Sequence, residues 1–134
     1  MTRAVIDTNI SISGLLFGGL PLQVVEAALD RRFVWVTSPY LIEELEKALA
    51  HKKFGLTSHE IKSLTTPVFD IVEVVVPSTH IFQIKRCPGD NRVLECALDG
   101  DCDHIVTGDH RDLLSLKSFH GISILTARQF LEII

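Results

Sequence analysis

The sequence predicts a three-layer α/β/α fold with a mainly parallel central sheet, formed by one domain that spans residues 1–134. Two observations predict it. Short runs of β-branched and other apolar residues alternate with segments whose apolar residues recur every three or four positions. Parallel neighbours in a sheet need crossover connections, so this alternation favours helices on both faces of the sheet. With 134 residues, 46% of them hydrophobic, the chain can also bury one sizeable core.

The first elements are a strand, two helices and a second strand. Residues 3–6 form a buried-type strand that ends at Asp7, after which Asn9 can cap a helix through Phe17. Pro21 suits the first turn of the second helix, and residues 33–36 form the next strand. Asp7 therefore lies at the carboxyl end of a predicted strand.

The third helix begins with Ser38 as its cap and Pro39 at its first position, and it should continue to about Ala50. Glu44 borders the apolar stripe of this helix. Such a glutamate is more often simply solvated, but it is also the acid of this helix best placed to face a cleft at the end of the sheet.

A capping box formed by Thr57 and Glu60 predicts the fourth helix, which Pro67 should end or kink. Residues 71–76 are the most β-prone run in the chain and predict a strand. Residues 78–88 then read as a connection, with three apolar side chains tucked under it. These are Ile81, Phe82 and Ile84.

The stretch from residue 87 to residue 113 predicts a helix opened by Asp90 and ended by Gly100, followed by a strand at 104–107. Asp109 follows the end of that strand, and it could cap a short helix through Leu116 with Asp112 as a weak capping partner. A last strand at 122–125 and a terminal helix complete the chain. The terminal helix begins with a capping box of Thr126 and Gln129.

Four acids converge on one edge of this predicted sheet, namely Asp7, Glu44, Asp90 and Asp109. Chemistry in open α/β sheets occurs at the carboxyl ends of the strands, which is where these acids belong. Helix capping is an equally good explanation for Asp90 and Asp109 alone, but it does not account for the whole set. Two carboxylates about 5 Å apart repel by roughly 3 kcal/mol at an effective dielectric near 20, and Mg²⁺ or Mn²⁺ would offset that repulsion.

Composition and missing motifs exclude several other classes. A net charge of −4 and a pI near 5.8 argue against a broad basic surface for nucleic acid. The sequence has no zinc-type His/Cys spacing, no phosphate-binding loop, no GxGxxG and no GxSxG. A haloacid dehalogenase-type phosphatase would need a second aspartate where Asn9 stands.

Cysteine usage and the chain start indicate a cytoplasmic protein without a membrane segment. The three cysteines, Cys87, Cys96 and Cys102, contain no CxxC pair and read as reduced structural thiols. The apolar runs are short, and a strand begins directly after Arg3, which leaves no room for a signal peptide.

At four positions in order the sequence resembles the PIN domain (PilT N-terminal) family, in particular its prokaryotic branch of toxin–antitoxin nucleases. The segments that carry the resemblance are VIDTN (5–9), SPYLIEEL (38–45), PGDNRVLECAL (88–98) and IVTGDHRDLL (105–114). The resemblance covers essentially the whole chain. It implies a divalent-metal-dependent endoribonuclease that cleaves single-stranded RNA with Mg²⁺ (or Mn²⁺), an antitoxin protein as a possible partner, and a homodimer.

The resemblance also assigns roles to individual residues. The catalytic, metal-binding acids of the family match Asp7, Glu44, Asp90 and Asp109. Asp112 matches an acid that some members add, and the polar residues that steady the carboxylates or a water match Thr8, Asn9 and Thr107. Two positions depart from many relatives, since Cys87 and Asn91 stand where those relatives have acids.

Two arginines adjoin the predicted metal-binding acids. Arg92 and Arg111 are candidates for guiding the RNA backbone toward the site, although either could simply be solvated. The alternative to an enzyme is a non-catalytic PIN-type module that only binds RNA or a partner protein. All four acids are present, so the sequence favours the nuclease.

Overall fold

The computed structural model describes residues 1–84, 88–108 and 111–134. The described part of the chain contains one mixed sheet of six strands in the order β3-β2-β1-β4-β6-β5. The strands are β1 (Arg3–Ile6), β2 (Val34–Thr37), β3 (Glu73–Val74), β4 (His104–Val106), β5 (Ser118–Phe119) and β6 (Ile122–Leu125). Every pairing is parallel except that of β5 with β6. The predicted α/β fold with a mainly parallel sheet is therefore confirmed.

Helices connect the parallel strands. They are α1 (Thr8–Leu16), α2 (Gly19–Leu29), α3 (Pro39–Leu49), α4 (Ser58–Phe69), α5 (Asp90–Asp99), α6 (Leu113–Leu116) and α7 (Ala127–Leu131), with a 3₁₀ turn at Lys52–Phe54. Ser38 caps α3, and the two predicted capping boxes at Thr57 and Thr126 are present.

The sheet separates two apolar cores. Successive side chains of β1 point to opposite faces, so Val5 lies in one core and Ala4 and Ile6 lie in the other. The first core includes Val93 and Leu94 of α5, and the second includes Val24 and Val25 of α2 and Phe130 of α7. Burial on both faces explains why the central strands read as continuous apolar runs rather than as alternating ones.

Two helix predictions need correction. Asp7 caps α1, not Asn9, because α1 begins two residues earlier than predicted. Helix α4 runs through Pro67 to Phe69. Pro67 has no N–H to donate to the carbonyl four residues earlier, and the helix ends two residues beyond it.

The strand predictions also need correction at both edges of the sheet. The strand predicted at 71–76 is observed only at Glu73–Val74. Ile71 and Val72 pack against the second core instead of pairing in the sheet. Strand β5 was not predicted. Phe82 is 79% exposed rather than tucked under the connection, whereas Ile81 and Ile84 are buried as expected.

Side chains of α5 hold residues 78–84, which we call the connecting segment. Asn91, Glu95 and Asp99 are spaced four residues apart, so they share one face of the helix. Their bonds run from the backbone of Ile84 to Asn91, from the amide of Ile81 to Glu95, and from the amides of Ser78 and Thr79 to Asp99. Bonds from Thr79 and Ser78 also lower the pKa of the Asp99 carboxyl. The segment is therefore fixed without belonging to a strand or helix.

Two of the three cysteines are free, buried thiols, as predicted. Burial is the main cause that raises the pKa of both Cys96 and Cys102 to about 12. Cys87 lies outside the described residues.

Within the described ranges, no single helix is long and apolar enough to cross a membrane, and only α1 and α2 taken together, with a 96° bend between them, reach that length and composition.

Candidate active site

Asp7 is buried at the carboxyl end of β1, with both carboxylate oxygens hydrogen-bonded. Its Oδ1 accepts the backbone N–H of Thr8 at 2.8 Å, which is the cap of α1. Its Oδ2 accepts the hydroxyl of Thr107, at the end of β4, at 2.8 Å. Asp7 is 6% exposed and Thr107 is completely buried. Since β1 and β4 are parallel neighbours, their ends bring these two side chains together.

Thr8 links Asp7 to Glu44. The Thr8 hydroxyl donates to Glu44 Oε1 at 2.5 Å, a distance typical of a hydroxyl bonded to a charged carboxylate. One residue thus donates its backbone N–H to the first acid and its side chain to the second. Glu44 is partly buried at the edge of α3, so this predicted acid does reach the end of the sheet.

The start of α5 lies beside Glu44. A Cβ atom added to Gly89 would lie 3.9 Å from Glu44 Oε2 and 3.3 Å from the Tyr40 hydroxyl. Asp90 is the first residue of α5, while Gly89 occupies the cap position. The capping alternative for Asp90 is therefore wrong, and its metal-binding role stays a prediction. A carboxylate in the first turn still interacts favourably with the helix dipole.

The other predicted site residues that the structure describes lie around the end of β4 and the start of α6. The N–H of Gly108 points to Asn9 Oδ1 at 3.4 Å, which connects β4 to α1. Asp109, the fourth predicted acid, lies outside the described residues. Asp112 precedes α6 at its cap position, and Arg111 is exposed.

The donors in this region are carboxylate and hydroxyl oxygens, which suit a hard cation such as Mg²⁺ or Mn²⁺ and do not suit the nitrogen- and sulfur-rich sites of zinc. Among the described residues, no three His, Cys, Asp or Glu side chains are close enough to hold a metal ion. Asp7, Glu44 and Asp90 therefore do not form a complete metal site by themselves, although their oxygen donors suit the implied ion. The predicted set also includes Asp109.

The structure gives Arg92 an internal role. Its guanidinium donates to Glu95 at 2.6 Å and to the carbonyl of Ile81 at 3.2 Å. Its side chain is 32% exposed, and Arg92 helps α5 hold the connecting segment.

Asn91 explains one departure from the family pattern. It is 2% exposed, and its amide donates to the Ile84 carbonyl at 2.7 Å while accepting from the Ile84 N–H at 2.8 Å. An ionised acid at this position could accept but could not donate. The asparagine is therefore needed to hold the connecting segment.

Tyr40 is a neighbour of the site that the sequence analysis did not single out. It lies one helical turn before Glu44, and both residues line a small pocket of about 150 Å³ with Glu43 and Lys47. Tyr40 precedes Glu44 by four residues, so the two share a face of α3. This spacing could have identified Tyr40 from the sequence.

Comparison with known families gives a match over most of the chain. A family model described as "PIN domain" matches residues 3–111. The chain belongs to the PIN domain family. PIN domains are generally nucleases.

Among solved structures with a similar fold is the crystal structure of VapBC2 from Rickettsia felis bound to a DNA fragment from their promoter. The match has a TM-score of 0.65 and covers 93% of this PIN domain and 98% of the other chain, with 12% sequence identity. At that identity the likeness shows a shared fold. No curated protein has significant sequence similarity to this PIN domain.

Proposed function

We propose that this PIN domain is a divalent-metal-dependent endoribonuclease that cleaves single-stranded RNA, and that it is the toxin of a toxin–antitoxin pair in the cytoplasm. The observation that carries the proposal is the bond network in which Thr8 joins Asp7 to Glu44. A helix cap needs only Asp7. The second bond instead holds the carboxylate of Glu44, from a different helix, beside the end of the sheet.

The proposed site holds its acids in fixed positions before substrate binds. Thr107 and the Thr8 amide orient the carboxylate of Asp7, and the Thr8 hydroxyl orients Glu44. Such preorganisation reduces the reorganisation needed when charge develops on the phosphate. Asp7, Glu44, Asp90 and Asp109 would hold Mg²⁺ or Mn²⁺, which when bound would supply an activated water and neutralise charge on the phosphate.

The proposed partners follow from the family and the fold. Single-stranded RNA is the substrate, with Arg111 near its backbone. An antitoxin protein would restrain the nuclease, as the VapBC2 name of the structural neighbour suggests. A homodimer would place two sites on one strand.

Removal of the metal should abolish cleavage. Labelled single-stranded RNA incubated with the purified protein should be cut in Mg²⁺ or Mn²⁺ and left intact in excess EDTA, because the proposed reaction depends on the metal to activate water and to neutralise charge on the phosphate. Full cleavage in EDTA would remove the mechanism. RNA binding without any cleavage in either metal would instead support the alternative, a non-catalytic PIN-type binding module.

If Asp90 belongs to the acid cluster, the substitution Asp90→Asn should stabilise the metal-free protein by about 1 kcal/mol, because it relieves screened repulsion among the carboxylates. It should also shrink the rise in melting temperature that Mg²⁺ or Mn²⁺ gives the wild type, because a ligand is lost. A purely structural role for Asp90 predicts the opposite change in stability. If Asp90 only complements the dipole of α5, the substitution lowers stability by about 0.3–1 kcal/mol. Thermal melts of both proteins with and without metal distinguish the two.

A further inference from the structure

An open groove of about 770 Å³ runs beside the acids, between α1 and the 3₁₀ turn. Thr8 and Asn9 form its end nearest the acids. The other side chains that matter are Phe17, His51, Lys53 and Phe54. Since Thr8 also bonds Glu44, the groove is continuous with the candidate active site.

Two aromatic rings form the apolar part of the groove. Phe17, immediately after α1, is 72% exposed. Its ring centroid lies 6.1 Å from that of Phe54, and the two planes are inclined by 56°. The pair therefore offers aromatic surface to solvent at a fixed position rather than filling a core.

Lys53 places a positive charge at the groove of a protein whose net charge is −4. Lys53 Nζ lies 5.1 Å from the centre of the Phe54 ring, and Lys52 and His51 are exposed in the same turn. None of the described residues that line the groove is acidic. A polyanion is the ligand class that this local charge favours.

We infer that this groove binds the bases of single-stranded RNA, which stack on Phe17 and Phe54 while Lys53 contacts the phosphate backbone. Exposed aromatic rings beside cations are the general means by which proteins hold single strands, because every base has a face that can stack. The strand would continue past Asn9 and Thr8 to the acids. This inference rests on the proposed function, since it supplies the substrate path for that site.

The test measures binding separately from cleavage. Affinity for a short fluorescein-labelled oligoadenylate is measured by fluorescence anisotropy in EDTA, where the proposed reaction cannot proceed. Phe17→Ala should weaken binding roughly tenfold, and Phe17→Leu should lose most of the same affinity because leucine is apolar but has no ring to stack. Lys53→Gln should reduce the slope of log affinity against log salt by about 0.7. Phe82→Ala, which removes another exposed ring, is the matched control and should bind like the wild type.

Wild-type affinity in Phe17→Ala, or full affinity in Phe17→Leu, would overturn the inference. Unchanged RNA binding together with loss of a dimer in sedimentation would also overturn it, and would assign the groove to a second copy of the chain. Failure of the proposed function is a separate result. A wild type that binds oligoadenylate through Phe17 but cleaves no RNA in Mg²⁺ or Mn²⁺ supports the groove and refutes the nuclease.

Discussion

Replacement of Asp7 by asparagine should abolish RNA cleavage while it leaves the fold intact. Asparagine is as good a helix cap as aspartate, and its side-chain oxygen can still accept the N–H of Thr8. Its amide nitrogen can donate to the Thr107 hydroxyl, which can reverse its role in that bond. What the substitution removes is the negative charge and one oxygen ligand at the centre of the proposed site.

The expected loss of activity is at least about 100-fold, because even the outer partners of metal ligands cost 10- to 100-fold when removed. Initial rates of cleavage of labelled RNA in Mg²⁺ measure it, and thermal melts check the fold. Asp30→Asn, at the exposed end of α2, is the matched control for loss of one charge. Asp7→Asn protein that cleaves at the wild-type rate would reduce Asp7 to a helix cap.

The substitution Asn91→Ala should produce the largest loss of stability, about 3 kcal/mol. It leaves both the N–H and the C=O of Ile84 without their partner in a buried position, and each such group costs roughly 1–3 kcal/mol. At about 4 °C per kcal/mol for a domain of this size, the melting temperature should fall by about 12 °C.

Urea or thermal unfolding of Asn91→Ala measures this loss, with Gln83→Ala as the control. Gln83 is exposed in the same connecting segment, so its truncation should change stability by no more than about 0.5 kcal/mol. If Asn91→Ala were as stable as this control, water would be replacing the amide of Asn91 at no cost, and the segment would not depend on it.

The sequence correctly predicted helices and strands where the apolar pattern and the capping residues indicate the same element. The apolar run of β1 and the Ser38-Pro39 start of α3 each indicate one structure, and both elements form where expected. Prediction was wrong where two residues of similar propensity compete, as Asp7 and Asn9 do for the cap of α1. The strand predicted at 71–76 was also too long. Ile71 and Val72 are apolar because they pack against the second core, not because they form a strand.

The residues of the candidate site could be predicted from the sequence, but the hydrogen bonds between them could not. Strand ends and helix starts place Asp7 and Glu44 at one edge, which follows from topology alone. The bond from Thr8 to Glu44 depends on how α1 and α3 pack, which no local pattern specifies. The same holds for Arg92, because its engagement with Glu95 and Ile81 depends on the path of the connecting segment.

The way α5 holds the connecting segment has an evolutionary consequence. Strands in a sheet bond through backbone groups that every residue except proline possesses, so a single substitution rarely erases a pairing. The connecting segment is instead held by the side chains of Asn91, Glu95 and Asp99, and any of these can be lost in one codon change. Substitutions at these three positions can therefore displace the connecting segment without altering the sheet.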